Sequence, residues 1–186
     1  MKRIAAAVFV FLILSGCTGK RDELDQVMAL RAKLLACESC SFQAEITADY
    51  GDSIHSFSMD CTGDNDGNLA FTVTKPETIS GITGKFEAGE GKLTFDDTAL
   101  TFPLLADGQI TPVSGPWIFL KTLMGGYLTS CVREDDLLRV SIDDSFDDDA
   151  LQLDIWFSNE DKPIRAEIFY DGRRIVTMDI ADFEIL

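Results

Sequence analysis

The sequence predicts a mostly β chain with helices, an α+β fold built as an antiparallel meander. Three observations carry that expectation. The period of the apolar residues changes from helical to alternating at Cys40. Turn residues then recur at hairpin spacing almost to the end of the chain. One segment, Trp117 to Met124, is apolar nearly all round and interrupts the alternation.

The elements follow in order. Residues 22–36 (DELDQVMALRAKLLA) read as a helix on which Leu24, Val27, Leu30 and Leu34 form an apolar stripe, with Met28 and Leu35 widening it. Asp22, Glu23 and Asp25 crowd its first turn and Arg31 and Lys33 lie toward its end, as the helix dipole favours. Phe42, Ala44, Ile46 and Ala48 then alternate with polar residues, and Phe57, Met59 and Cys61 share one face of a second strand. A two-residue turn at Tyr50-Gly51 sets a register in which Phe42 faces Met59, Ala44 faces Phe57 and Cys40 faces Cys61. Further strands are expected at Leu69–Val73, Ile79–Phe86, Lys92–Phe95 and Ala99–Phe102. After Pro103 comes a Pro- and Gly-rich loop, then the apolar 117–124 helix, which Gly125-Gly126 would stop. Four closing strands are expected at Leu137–Ile142, Leu151–Phe157, Ile164–Tyr170 and Ile175–Ile180. For Ile164, Ala166 and Ile168 to share a face with Val176, Met178 and Ile180, the turn at Asp171-Gly172 needs an odd loop or a bulge.

Composition excludes several functions. Lys and Arg number 16 against 32 Asp and Glu in 186 residues, a net charge of -16. Nucleic acid binding needs clustered cations, and the balance also opposes electrostatic docking on an anionic membrane. With 46% hydrophobic residues the chain has material for a core, so disorder is not expected.

The first residues carry an address. Lys2 and Arg3 precede an apolar run, Ile4 to Leu14, too short to span a bilayer comfortably. Leu14-Ser15-Gly16-Cys17 resembles a bacterial lipobox, which assigns 1–16 as signal peptide, Cys17 as the lipidated residue and 17–21 as its tether. Residues 22–186 then form a single domain. A lipid chain of the palmitate class would replace the signal as anchor, outside the cytoplasm at the cell membrane. Loss of Lys2 and Arg3 takes the charge from -16 to -18.

Four cysteines remain in an exported chain, which points to disulfides. The hairpin register favours Cys40–Cys61, leaving Cys37 to Cys131; the competing pattern joins Cys37 to Cys40. A redox reading of Cys37-Glu38-Ser39-Cys40 fails because the pair follows a helix rather than opening one. No zinc site is expected with His55 as the sole histidine. His55 shares the parity of Phe57 and Met59, a core or rim position rather than a general base. The 63–68 segment (GDNDGN) lacks Asp and Glu where a calcium loop needs them and reads as a polar turn; the 143–149 acidic run reads as a solvated loop. No catalytic motif, metal or cofactor is expected.

The order of elements, with Phe71-Thr72-Val73-Thr74-Lys75-Pro76, Leu93-Thr94-Phe95-Asp96-Asp97 and Phe169-Tyr170-Asp171-Gly172, resembles the LolA/LolB-like lipoprotein carriers. It also resembles carrier-fold lipoproteins of Gram-positive bacteria, including the clostridial germination lipoprotein. The resemblance implies a half-open antiparallel β-barrel whose concave face is covered by the N-terminal helix and the apolar helix. It further implies a non-enzymatic, membrane-anchored binder of lipid or lipoprotein acyl chains, or a scaffold that binds another envelope protein. Phe42, Phe57, Met59, Phe71, Trp117, Phe119, Leu120, Leu123 and Met124 would line the acyl cavity, or else fill a core.

Overall fold

A computed structural model describes residues 19–87, 89–95, 98–103, 105–106 and 109–186. The signal segment and Cys17 lie outside them. Two α-helices are present among the described residues, α1 (Gly19–Ala36) and α2 (Gly115–Gly125). The strands are β1 (Cys40–Asp49), β2 (Ile54–Gly63), β3 (Leu69–Lys75), β4 (Thr83–Glu87), β5 (Glu90–Phe95) and β6 (Thr98–Pro103). A two-stranded β7 (Leu105–Ala106) and β8 (Gln109–Ile110) pair follows. After α2 come β9 (Tyr127–Glu134), β10 (Leu137–Asp143), β11 (Gln152–Phe157), β12 (Pro163–Tyr170) and β13 (Arg173–Ile185).

Eleven strands form one antiparallel sheet in the order β6-β5-β4-β3-β2-β1-β13-β12-β11-β10-β9. It is open: β6 and β9 are its edges. It is also strongly curled, which the span of α2 demonstrates. Trp117 near the start of α2 stacks on Phe86 of β4, with ring centroids 5.8 Å apart, and Gly126 at its end abuts Ile142 of β10. Seven inter-strand steps separate β4 from β10, about 34 Å in a flat sheet. An eleven-residue helix is only about 16 Å long and 10–12 Å wide. The sheet must therefore wrap around it. The result is the half-open barrel with its concave face covered by helices, as the resemblance implied.

Alternation builds the concave face. In β1, Phe42, Ala44, Ile46 and Ala48 are buried while Gln43, Glu45 and Thr47 are exposed. The convex face carries a charged row in which Arg139 meets Asp154 at 3.2 Å, and Arg165 and Arg174 meet Glu167 at 2.6 and 2.9 Å. Asp154 and Glu167 are buried beneath those arginines.

Several expectations need correction. The helix starts at Gly19, inside the segment assigned as tether. On it Val27, Leu30 and Leu34 are buried, but Leu24, Met28 and Leu35 are exposed, so the buried stripe is narrower than predicted. The first hairpin turns over four residues, Tyr50 to Ser53. The Tyr50 amide donates to the Ser53 carbonyl, Asp49 Oδ1 accepts from the Gly51 amide, and Gly51 takes φ +87°. The register consequently slides by two: Phe42 faces Cys61, Ala44 faces Met59 and Cys40 faces Gly63. A shift of two keeps every side chain on its predicted face while separating the expected disulfide partners. At the last hairpin the bulge is present, between Ile168 and Phe169, and it brings Ala166 opposite Met178 and Ile168 opposite Val176. Ile164 departs: a second irregularity at Trp156/Phe157 turns it outward.

Candidate functional site

The apolar interior divides into a packed part and an open part. In the packed part α2 buries nine of its eleven residues. Phe119 meets Phe42 edge-on at 5.5 Å, Phe42 stacks on Phe183 at 5.9 Å, and the Trp117 indole donates to the Gly67 carbonyl at 2.9 Å. Gly126 is fitted so closely that a Cβ there would lie 2.6 Å from Ile142 Cγ2 and 2.8 Å from the Thr122 carbonyl. This is the terminus of a fixed helix, packed rather than free to swing.

The open part is a mouth at one end of the half-barrel. Its floor is Phe57, Val73 and Leu93, and two lips flank it. The first lip, residues 76–82, folds back on β3, where the Val73 amide donates to the Ile82 carbonyl and the Gly81 amide to the Val73 carbonyl. The second, Pro112 and Val113, is tied to β1 by the Tyr50 hydroxyl, which donates to the Ile110 carbonyl. Burial pushes that phenol up to about 12. Between the lips lies a cavity of 470 Å³, walled by aliphatic and aromatic side chains, with His55 and Ser56 as its polar rim. His55 is exposed, its ring 6.1 Å from that of Tyr50. It is a rim residue.

The expected acyl-lining residues distribute unevenly. Phe57 reaches the mouth. It is itself buried in the common core, as are Phe42, Met59, Phe71, Trp117, Phe119, Leu120, Leu123 and Met124, which do not line the mouth. Sequence parity did not reveal Val73, Ile79, Ile82, Leu93 and Val113 as mouth residues. Ile79 and Ile82 do so least, lying in a 3₁₀ turn and a loop where no alternation exists to be read.

The cysteines correct the disulfide expectation. Cys37, Cys40, Cys61 and Cys131 are free thiols. Cys131 shares β9 with Arg133, which pairs with Glu23 at 3.5 Å; burial raises the Cys131 thiol, and Glu23 lies close enough to raise it further. Cys37, fourteen residues further along the chain at the other end of α1, is about 20 Å away by helical rise. A Cys37–Cys131 bridge is out of reach. Burial, then the neighbouring Cys37, pushes the Cys40 thiol up to about 11; burial, then Asp60, raises Cys61 too.

The two acidic segments behave as loops. Burial works to raise the Asp64 carboxyl, but hydrogen bonds from the Asn68 side chain and from the Asn68, Asp66 and Gly67 amides outweigh it and lower it. Those donors occupy the carboxylate and close a polar turn. In the 143–149 loop Asp144 accepts from the Leu151 amide at 2.8 Å. Among the described residues no group of His, Cys, Asp or Glu is arranged to hold a metal ion.

One element escaped the sequence reading. β9 is an edge strand with no buried residue, so it lacks the alternation that marks its neighbours. At its start Tyr127 stacks against Phe146, which is 82% exposed.

No family model matches the sequence, and no curated protein matches it. Similar solved structures do exist. A LolA superfamily protein from Nitrosomonas europaea shares 12% identity at TM-score 0.45, covering 86% of this chain and 93% of its own. The Mycobacterium tuberculosis lipoprotein LppX shares 14% at TM-score 0.42, covering 87% and 93%. A chain of the complex of the CwlD amidase from Clostridioides difficile with the GerS lipoprotein shares 14% at TM-score 0.44, covering 91% and 97%. None of these likenesses locates a ligand or a partner on this chain.

Proposed function

We propose that the protein is a lipoprotein, anchored through Cys17 outside the cytoplasm, that binds lipid or lipoprotein acyl chains at the mouth of the half-barrel. One observation carries the reading: a 470 Å³ apolar cavity stays open at the rim while the rest of the concave face is filled. That volume falls within the range of small-ligand sites, and a wall of branched and aromatic side chains with a small polar rim suits an amphiphile. The chain end would sit over Phe57, Val73 and Leu93, with the head near His55 and Ser56. Trp117, Phe119, Leu120, Leu123 and Met124 belong to the packed core, together with Phe42, Met59 and Phe71. The reading assigns no catalytic role.

Titration of the delipidated protein with a fluorescent fatty acid tests it. Saturable binding that Ile79→Glu weakens about tenfold is the expected result, since a carboxylate at the lip would have to be desolvated beside the chain. Absence of saturable binding discards the carrier reading. The scaffold reading then takes its place, favoured by the open β9 edge with its exposed Tyr127–Phe146 pair.

A further inference from the structure

The exposed stripe on α1 has no role in the packing of the half-barrel. Residues four and seven apart lie on one side of a helix, so Leu24, Met28, Arg31 and Leu35 fall within about 60° of one another. Arg31 is tucked inward, yet Leu24, Met28 and Leu35 are 42%, 48% and 54% exposed. The stripe that holds α1 on the barrel is a different one, Val27, Leu30 and Leu34.

The placement of α1 is equally specific. Every contact it makes with the hairpin ends is at one pole of the barrel. Glu23 pairs with Arg133 near the end of β9, and Gln26 donates to Asp161 in the β11–β12 turn. Leu30 and Lys33 border a cleft with Phe183 and Leu186 at the end of β13. The mouth lies at the other pole, beside the β1–β2 turn. β1, whose first residue Cys40 follows α1 and whose last precedes that turn, is ten residues long and separates the poles by about 33 Å. Cys17 stands two residues before Gly19, which limits the distance from the anchor to α1 to about 7 Å.

We propose that α1 lies flat on the membrane holding the Cys17 lipid, with Leu24, Met28 and Leu35 set into the bilayer interface, so that the mouth faces away from that membrane. The inference rests on the anchor reading above. Among the described residues no helix is long and apolar enough to cross a membrane. The chain's net charge of -16 opposes an anionic surface, so the contact is apolar and fits a zwitterionic one. A ligand then enters the mouth from the aqueous side or from a partner, not sideways from the anchoring bilayer.

The experiment uses the full lipidated chain in phosphatidylcholine vesicles containing bromine-labelled acyl chains, with Trp117 and Trp156 as background. Met28→Trp should show emission quenched about twofold beyond the parent protein, while Ile54→Trp at the rim matches the parent. Quenching of Ile54→Trp, or of neither variant, overturns the proposal. Vesicle flotation of the same samples tells the failures apart: unquenched Met28→Trp that still floats refutes the docked helix and leaves the anchor standing. Protein that does not float refutes the anchor, and the docked helix with it. A Cys17→Ala chain that dimerises until Met28→Glu is introduced would assign the stripe to a second copy and also overturn the proposal.

Discussion

The floor under α2 and the mouth between the lips are parts of one concave sheet face, built from neighbouring residues of the same strands. Within β2, Met59 is 1% exposed beneath the packed interior, while His55, four residues away on the same face, is exposed at the rim. The difference is made by what covers each place. An eleven-residue helix closes one; two short loops that do not meet leave the other open. Apolar surface kept from packing contributes nothing to folding, so the stability of the molecule resides in the packed part. Ligand capture would reside in the open part.

The comparison can be broken most forcefully under α2. Leu123 is fully buried, and Leu123→Ala should cost about 2–5 kcal/mol in urea unfolding. Fatty-acid affinity should stay unchanged, and a specific loss of binding at full stability would make α2 a lid. At the lip the pattern should reverse. Ile79→Glu should alter stability by less than about 0.5 kcal/mol while removing most of the affinity, because Ile79 is already partly wet.

Smaller effects sharpen the same boundary. The Cys40 thiol titrates near 11 in the folded chain against an ordinary value of 9.0. A raised value means that the folded state holds the proton more tightly. Its contribution is fully present below pH 9 and is lost as pH climbs toward about 11. Unfolding followed from pH 8 to 11 should show this decline, and Cys40→Ala should lessen it, leaving the part that the raised Cys61 and Cys131 thiols contribute. The smallest expected signal is chemical: iodoacetamide on the native protein should label half-exposed Cys37 and Cys131 and spare Cys40 and Cys61. Mass spectrometry of the labelled peptides reads the outcome, and early labelling of Cys61 would contradict its place in the packed interior.

Much of this division was legible in the residues. Strict alternation through Phe42, Ala44, Ile46 and Ala48 announced a strand with one wet face, and the largely apolar 117–124 run announced a buried helix. The need for a bulge near Asp171-Gly172 followed from parity alone. Register was less accessible. The four-residue β1–β2 turn is closed by the Tyr50–Ser53 and Asp49–Gly51 hydrogen bonds, and a two-residue turn would keep the same faces inward. The mouth was least accessible. Whether Phe57 lies in a core or at an opening depends on how far residues 76–82 and 110–113 reach, and loop reach leaves no periodic trace. β9 went unread because its inward face is only half-buried, at Leu128, Ser130 and Cys131, and carries no regular apolar alternation.

The pairing of β1 with β13 sets the order in which the molecule can be completed. The first strand after α1 sits at the centre of the sheet, yet its partner on one side is the last strand to be synthesised. Synthesis delivers the chain from its N-terminus, so β1 to β6 can associate early while one edge of β1 stays unpaired. Only when residues 173–185 arrive do the two meanders become one sheet, joined by the longest-range contacts in the chain. Nascent protein stopped before Arg173 should accordingly remain protease-sensitive throughout, including its N-terminal half. Completion at the C-terminus leaves the central strand, and with it the joining of the two halves, waiting on the last segment to be synthesised.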